Sequence, residues 1–324
     1  MDEIHLRDLQ MVLANTHIVL KQEFLKQLLV NAAKSDFPHK KISFIEKIGC
    51  TYNPSSRTST TIVGWINGYR TIPFKRLQII ISMSDFTWED VESNVISIKA
   101  GIRKGEIMPI FPIKVKEKLG AIVGYILGDG TLDKKYSQIA FYNSNLVLLK
   151  HFSNSMKNIF GIEPRIWVQK KKKKLSEKSI WVGRVKSLEV VSNSANIALF
   201  YPRVCGLILK GIFGDFAVGK TKKITSQIKE ANLSFQRGFI RAFFDSEGSA
   251  YNYRSMIRVY QDNKIMLQEI RGLLSNFDIK TNNVRTYVQR NKERSMFDIT
   301  NTKNFMKFHK EIGFLSPKKK LHPR

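Results

Sequence analysis

The chain has 324 residues, more than one hydrophobic core usually organises, so length favours two or three domains. Lys and Arg number 54 against 27 Asp and Glu, a net charge of +27, while 43% of the residues are hydrophobic and 11% aromatic. This balance excludes a disordered basic tail and implies a folded protein with a polyanionic partner, nucleic acid first and a membrane surface as the rival. Cys50 and Cys205 are too few for a disulfide framework or a zinc site and read as reduced core thiols, and the six histidines lack ligand spacing. No apolar run approaches ~18 residues and residues 1–5 do not open like a signal peptide, so a cytoplasmic protein without a membrane segment is expected.

Residues 1–110 hold 14 basic and 11 acidic side chains, and residues 111–324 hold 40 and 16, so the polyanion is gripped mainly by the C-terminal two thirds. Phe24, Leu25, Leu28 and Leu29 recur at helical spacing, and so do Val91, Val95 and Ile98 behind a Thr87-x-x-Asp90 capping box. Between them, short helices are predicted over residues 42–48 and 58–66, separated by a turn-rich break, closed by Asn67-Gly68 and followed by a third helix opened by Pro73. Residues 1–105 therefore read as an all-α domain. Residues 60–70, with Ile72 and Pro73, resemble the helix-turn-helix of phage-repressor-type DNA-binding domains. Ile62 and Trp65 would pack inward, and Arg57, Ser59, Thr60 and Thr61 would face a major groove. A plain helical bundle without DNA contact is the competing reading. Two glycines and two prolines within residues 101–112 predict a linker, placed at 106–116.

The remainder is a duplication. Residues 119–130 (LGAIVGYILGDG) and 237–248 (RGFIRAFFDSEG) share one plan, an apolar helix, an acid, then glycine, with the acids Asp129 and Glu247 118 positions apart. The same offset pairs Ile139 with Ile257, Tyr142 with Tyr260, Asn145 with Asn263 and Leu149 with Leu267. Each unit continues as a strand pair, a helix and a second strand pair. The second pair is expected at 165–168 with 181–192 and at 284–288 with 296–300, with residues 187–193 and 295–301 as matching closing stretches. Two αββαββ units, each with a final helix, are implied over 117–232 and 233–324.

An acid at a helix C-terminus faces the negative end of the dipole, a cost of about 0.3–1 kcal/mol that both units accept at one spot. Gly130 and Gly248 are expected to end the helices through positive φ. Gly124, Gly128 and Ala242 offer small surfaces where the helices can approach, so that the two acids converge. Two hard oxygen ligands in a basic setting are what metal-assisted phosphodiester hydrolysis requires. Both motifs resemble the dodecapeptide of the LAGLIDADG homing endonucleases, over roughly residues 111–324. The resemblance implies an α+β fold of two pseudo-symmetric αββαββα units whose strands form a saddle over double-stranded DNA. It implies a monomeric enzyme without a protein partner that uses Mg²⁺, two or three ions, held by Asp129 and Glu247 with the carbonyls of Gly128 and Ser246. The supporting polar residues would be Gln261 and Asn143, the latter a departure from the family pattern, and the assisting basic residue is unassigned. Leu127 stands where the second motif has Asp245, a difference expected to be without consequence.

Candidate DNA contacts are Arg165, Arg258, Arg285 and the run Lys170, Lys171, Lys172, Lys173 and Lys174, which reads either as a solvated hairpin tip or as a loop embracing phosphates. Trp167 and Trp181 read as sheet-packing residues, and His151 and His309 as structural. Met1 and the ending Leu321-His-Pro-Arg324 lack the nucleophiles of a self-splicing intein, so the expectation is a free-standing protein or one that has lost any splicing part. A site-specific endonuclease is therefore expected. A non-catalytic DNA-binding regulator and an RNA intron maturase on the same scaffold are the alternatives.

Overall fold

A computed structural model describes residues 1–101, 105–133, 137–169, 181–190, 196–218, 221–289 and 291–319. The chain divides into two compact units, one of Ile4–Ile113 with Pro202–Gly211, the other of Met1–Glu3, Lys114–Tyr201 and Ile212–Arg324. The first boundary thus lies at Ile113, and ten residues expected to close the first repeat group with the N-terminal part instead. Within that unit Gly211 is seated against Val12, where a Cβ would come within 2.7 Å of a valine methyl.

The N-terminal unit is not all-α. Helices Gln22–Ala33, Ile42–Lys47, Thr60–Ile66, Phe74–Ser82 and Trp88–Ser93 accompany an antiparallel sheet ordered Ile72–Pro73, His17–Leu20, Val95–Lys99, Glu106–Ile107. The Thr87–Asp90 capping box is present, with the Asp90 amide donating to Thr87 Oγ1 at 3.2 Å, but its helix stops at Ser93. Val95 and Ile98, spaced for a helix, lie on the following strand because Val-Ile-Ser-Ile is rich in β-branched residues, which favour the extended chain. Glu106 and Ile107, expected in a linker, pair with Lys99 and Ile98 and complete the sheet. Leu28, Leu29, Ile62, Trp65, Phe74 and Leu77 form the core of this unit. The connection between Ile42–Lys47 and Thr60–Ile66 contains an Asn53–Thr58 bridge and exceeds the ~3–4 residues of a tight helix-turn-helix.

The second unit is built on two helices, Glu117–Leu127 and Leu233–Glu247, that pack backbone to backbone. A Cβ at Gly120 would meet the Phe235 carbonyl oxygen at 2.0 Å, one at Gly124 the Phe239 oxygen at 2.3 Å, and one at Gly238 the Glu117 oxygen at 2.0 Å. Glycine is needed here for the close approach of two chains. The same reason governs Gly130 and Gly248, which do not adopt positive φ; Gly248 has φ −88° and ψ 158°. Each opens a strand directly behind its acid, and a Cβ would lie 2.6 Å from Ile126 Cα or 2.7 Å from the Phe244 oxygen. A stacked row of Phe235, Phe239 and Phe243 runs along the second helix.

Behind each helix stands a mainly antiparallel sheet with one buried face, in which the last of four strands in chain order is inserted between the second and the third. The second repeat has the order Gly248–Tyr251, Met256–Gln261, Lys292–Ile299, Arg285–Gln289. In the first, Gly130–Leu132, Ile139–Asn143, Asn196–Tyr201 and Arg165–Gln169 follow the same order, Trp181–Val185 adds a strand at one edge, and Ala217–Val218, parallel to Gly130–Leu132, and Thr221–Lys222 add two at the other. The strand matching Lys292–Ile299 is therefore Asn196–Tyr201 and not residues 187–193. Ile197 pairs with Asn143 as Ser295 pairs with Gln261. Leu188–Val190 is a short 3-10 turn. The added strand Trp181–Val185 takes one more length of chain before the sheet can close, which displaces the matching strand downstream. Both cysteines are buried and free, and no helix among the described residues is long and apolar enough to cross a membrane.

Candidate active site

The packing of the two motif helices delivers their ends to one place. Asp129 follows the C-cap residue Gly128 of the first helix, and Glu247 is the last residue of the second. Asn143 Nδ2 donates to Asp129 Oδ2 at 2.8 Å and Gln261 Nε2 donates to Glu247 Oε1 at 3.2 Å, so the two amides predicted at equivalent strand positions each orient one acid. Ser246 and Gly128 face each other across the helix pair: a Cβ on Gly128 would lie 2.4 Å from Ser246 Cβ.

Two lysines absent from the sequence expectation complete the site. Lys222 Nζ donates to the Gly128 carbonyl, and Lys319 Nζ donates to the carbonyls of Asp245 and Phe244 at 2.6 and 3.3 Å. Each lysine returns to the C-terminus of its own motif helix, where a cation complements the dipole. Burial pushes the Glu247 carboxyl up to about 7, reinforced by the Asp129 charge and opposed by Lys222, Gln261 and Lys319. Burial also raises Asp129, against the pull of Lys222 and Lys319. Both lysines are lowered by burial, while the acids hold their charge in place. A signal for the pair was present in the sequence: each repeat ends in a basic cluster, Lys220, Lys222 and Lys223 in one and Lys318, Lys319 and Lys320 in the other.

Asp245, expected to be inconsequential, is 2% exposed and accepts the amides of Leu315 and Ser316 at 3.0 Å each. It pins the segment that carries Lys319. The equivalent Leu127 is fully buried and makes no such anchor. His151 is structural, its Nδ1 3.2 Å from the buried Tyr125 hydroxyl.

No cluster of three or more His, Cys, Asp or Glu able to hold a metal exists among the described residues. The donors that converge are two carboxylates, with the Gly128 carbonyl, which accepts Lys222 Nζ, next to Asp129 in the chain; these are hard oxygens of the kind that suit Mg²⁺ or Ca²⁺. Two buried acids, of which Asp129 pushes the Glu247 carboxyl further up, fit a divalent cation, which would relieve their repulsion.

The remaining candidates separate. Arg258 and Arg285 lie on the accessible face of the second sheet, both paired to Asp298; Arg258 Nε is 2.6 Å from Oδ1. Arg165 is exposed on its strand, and Trp167, read as sheet packing, is 37% exposed on the same face. Lys170, Lys171, Lys172, Lys173 and Lys174 lie outside the described residues. In the N-terminal unit Arg57 and Thr60 are exposed and Thr61 is half-buried. Ser59 is fully buried and cannot face a groove. Its amide donates to the His39 carbonyl at 2.7 Å, which turns the side chain inward at the start of the helix.

A segment of 101 residues is 35% identical to the DNA-directed RNA polymerase subunit Rpo1C of Methanocaldococcus jannaschii, covering 31% of this chain and 11% of that protein. The tRNA-splicing ligase RtcB of Pyrococcus furiosus is 24% identical over 273 residues, 78% of this chain and 26% of the ligase. The chain thus spans about a tenth and about a quarter of these relatives. The structure of I-DmoI in complex with DNA and Mn is similar at 15% identity with a TM-score of 0.41, covering 61% of this chain and 97% of that one. The family model described as LAGLIDADG-like domain matches residues 116–205 and 234–313, just over half of the chain. Each matched stretch begins within a residue of a motif helix and contains its acid and its oriented amide, and the chain accordingly belongs to the LAGLIDADG-like domain family.

Proposed function

We propose that the protein is a site-specific double-strand DNA endonuclease acting as a monomer with Mg²⁺. The observation that carries this reading is the meeting of Asp129 and Glu247, each with its own amide and with a lysine of its own half nearby. Asp129, Glu247 and the carbonyls of Gly128 and Ser246 would hold the cation. Once bound, it supplies charge neutralisation at the phosphate and an acidic water. Asn143 and Gln261 fix the carboxylates, and Lys222 and Lys319 stand beside them, where a phosphodiester gathers charge during cleavage. Arg165, Arg258 and Arg285 present positive charge on the sheet faces, with Arg57, Thr60 and Thr61 adding contacts from the N-terminal unit. The match to small parts of two proteins of unrelated names fits a segment that spreads between genes, as a site-specific endonuclease allows.

The retained acids favour this reading over a regulator that only binds DNA, since binding alone gives no reason to bury two carboxylates together. Asp129→Asn or Glu247→Gln is expected to lower Mg²⁺-dependent cleavage of sites selected from a randomised duplex library by about 10³-fold or more, leaving affinity for those sites within a few fold. Wild-type cutting rates in either variant would refute the assignment. A wild-type protein that enriches sites but cuts none would establish the regulator.

A further inference from the structure

We propose that Asn145 and Asn263 are positioning residues that each hold in place the lysine-bearing segment of the opposite repeat. The pair stands at the same place in the two repeats, 118 residues apart. Each is the N-cap of its helix: Asn145 Oδ1 accepts the Val147 amide at 3.0 Å and Asn263 Oδ1 accepts the Met266 amide at 3.1 Å. Capping consumes the side-chain oxygen and leaves the NH₂ group available. Asn263 Nδ2, in the second repeat, donates at 2.8 Å to the carbonyl of Lys222, in the first. Asn145 Nδ2, in the first repeat, donates at 2.9 Å to Oγ of Ser316, in the tail of the second, three residues before Lys319.

The crossing continues toward the acids. Asn143 Oδ1 accepts the Asn145 amide at 2.8 Å while its Nδ2 holds Asp129. Gln261 Oε1 accepts the Asp262 amide at 2.9 Å while its Nε2 holds Glu247. The acid of one repeat is thus linked through an amide and a helix cap to the lysine segment of the other. An ordinary N-cap needs only the oxygen, and serine or aspartate would serve; a second function for the NH₂ explains asparagine at both sites. Each attachment is backed by others. Asp245 also accepts the amides of Leu315 and Ser316, so the Lys319 segment has two anchors. Leu127 offers the Lys222 segment no counterpart, but Lys222 is paired with Ala217 in the sheet and the Ile224 amide donates to Glu269 Oε2 at 3.4 Å, so this segment also keeps further anchors.

The proposal rests on the nuclease reading for its consequence but not for its geometry, and the test keeps the two apart. Asn263→Asp and Asn145→Ser each preserve a capping oxygen and remove the cross-repeat donor, serine being chosen at 145 because the Ser316 hydroxyl would donate to an aspartate there, so the pair isolates the strut from helix stability. Hydrogen exchange of the metal-free protein is the first arm. Asn263→Asp is expected to raise exchange of a peptide covering residues 222–225 about tenfold with helix Lys264–Ser275 unchanged. Asn145→Ser should raise exchange at 316–319 by a comparable factor. Exchange that rises only around the mutated residue overturns the proposal.

Strand-resolved cleavage of a selected site is the second arm. Misplacing one lysine by about 1 Å is expected to slow one strand by up to ~10²-fold relative to the other, with the two variants slowing opposite strands and accumulating nicked DNA. Equal slowing of both strands overturns the positioning role even if the enzyme is a nuclease. A wild-type protein that cuts nothing refutes the nuclease reading, and the exchange arm then decides the strut alone.

Discussion

The two repeats have one topology and different attachments. In the second, Asp245 on the motif helix ties down the closing tail, and Asp298 gathers Arg258 and Arg285 on the outer sheet face. In the first, Leu127 occupies the place of Asp245 in an apolar environment, and three added strands, Trp181–Val185 at one edge and Ala217–Val218 with Thr221–Lys222 at the other, widen the sheet. The shared parts are those that meet at the acids. The differences lie where a repeat meets its own tail or an outside partner. After duplication, symmetry is retained where two copies must converge and lost where each copy contacts something different.

Exchanging the residues of the two halves is the most severe test of this contrast. Leu127→Asp buries a carboxylate without the Leu315 and Ser316 amides that Asp245 enjoys, and is expected to cost about 3–5 kcal/mol or prevent folding. The reciprocal Asp245→Leu leaves two amides without their acceptor. It should cost about 2–4 kcal/mol in urea unfolding and free the tail, which a trypsin time course at Lys318 and Lys319 reads directly. Equal tolerance of both substitutions would remove the asymmetry.

The helix pair can be tested with two alanines. Gly120→Ala puts a methyl 2.0 Å from the Phe235 oxygen, and a loss of about 3 kcal/mol is expected. Gly272→Ala, on helix Lys264–Ser275 with no atom within 4 Å of the new Cβ, should add about 0.5–1 kcal/mol. If the two changes have the same sign, the close contact does not hold the halves together.

Proton linkage sharpens the view of the shared centre. The Glu247 carboxyl stands at about 7, above its ordinary 4.5, so the folded metal-free protein keeps a proton that the unfolded chain has released. Below the unfolded value the group is neutral in both states. As pH rises from 4.5 to 7 the metal-free protein loses stability, of order 3 kcal/mol in all, and the penalty stays above 7. Mg²⁺ binds the ionised form, so its affinity should rise with pH up to about 7 and its binding at pH 6 should release a proton. Calorimetry in buffers of different ionisation enthalpy counts that proton, and a count of zero would separate the metal from Glu247.

The smallest effect is expected at the outer face. Asp298→Asn removes one negative charge between two arginines, so non-specific DNA affinity should rise by a few fold while base preference on that half of the site weakens. Sites selected by the variant and by the wild type would be compared. An unchanged preference would reduce the Arg258–Asp298–Arg285 group to a sheet ion pair.

Repetition made the duplicated scaffold legible: an acid and glycine behind an apolar helix, twice at one offset, locate Asp129 and Glu247, and the family resemblance of the two motifs pointed to Gln261 and Asn143 beside them. Local rules also placed the Thr87–Asp90 cap and the Thr60–Ile66 helix, because capping and helical periodicity act between neighbours in the chain. Three features depended on tertiary contact. Ser59 faces inward although a helix start usually exposes it. Gly130 and Gly248 are required by approaching backbone and not by φ. Asp245 is an anchor because a tail 70 residues later supplies the amides. Lys222 and Lys319 belong to this last kind: composition marked two basic clusters, but only the folded chain sets one lysine of each against the acids. A pattern of residues determines what each segment can form, whereas burial and long-range hydrogen bonds, which join residues far apart in sequence, decide which of its side chains reach the site.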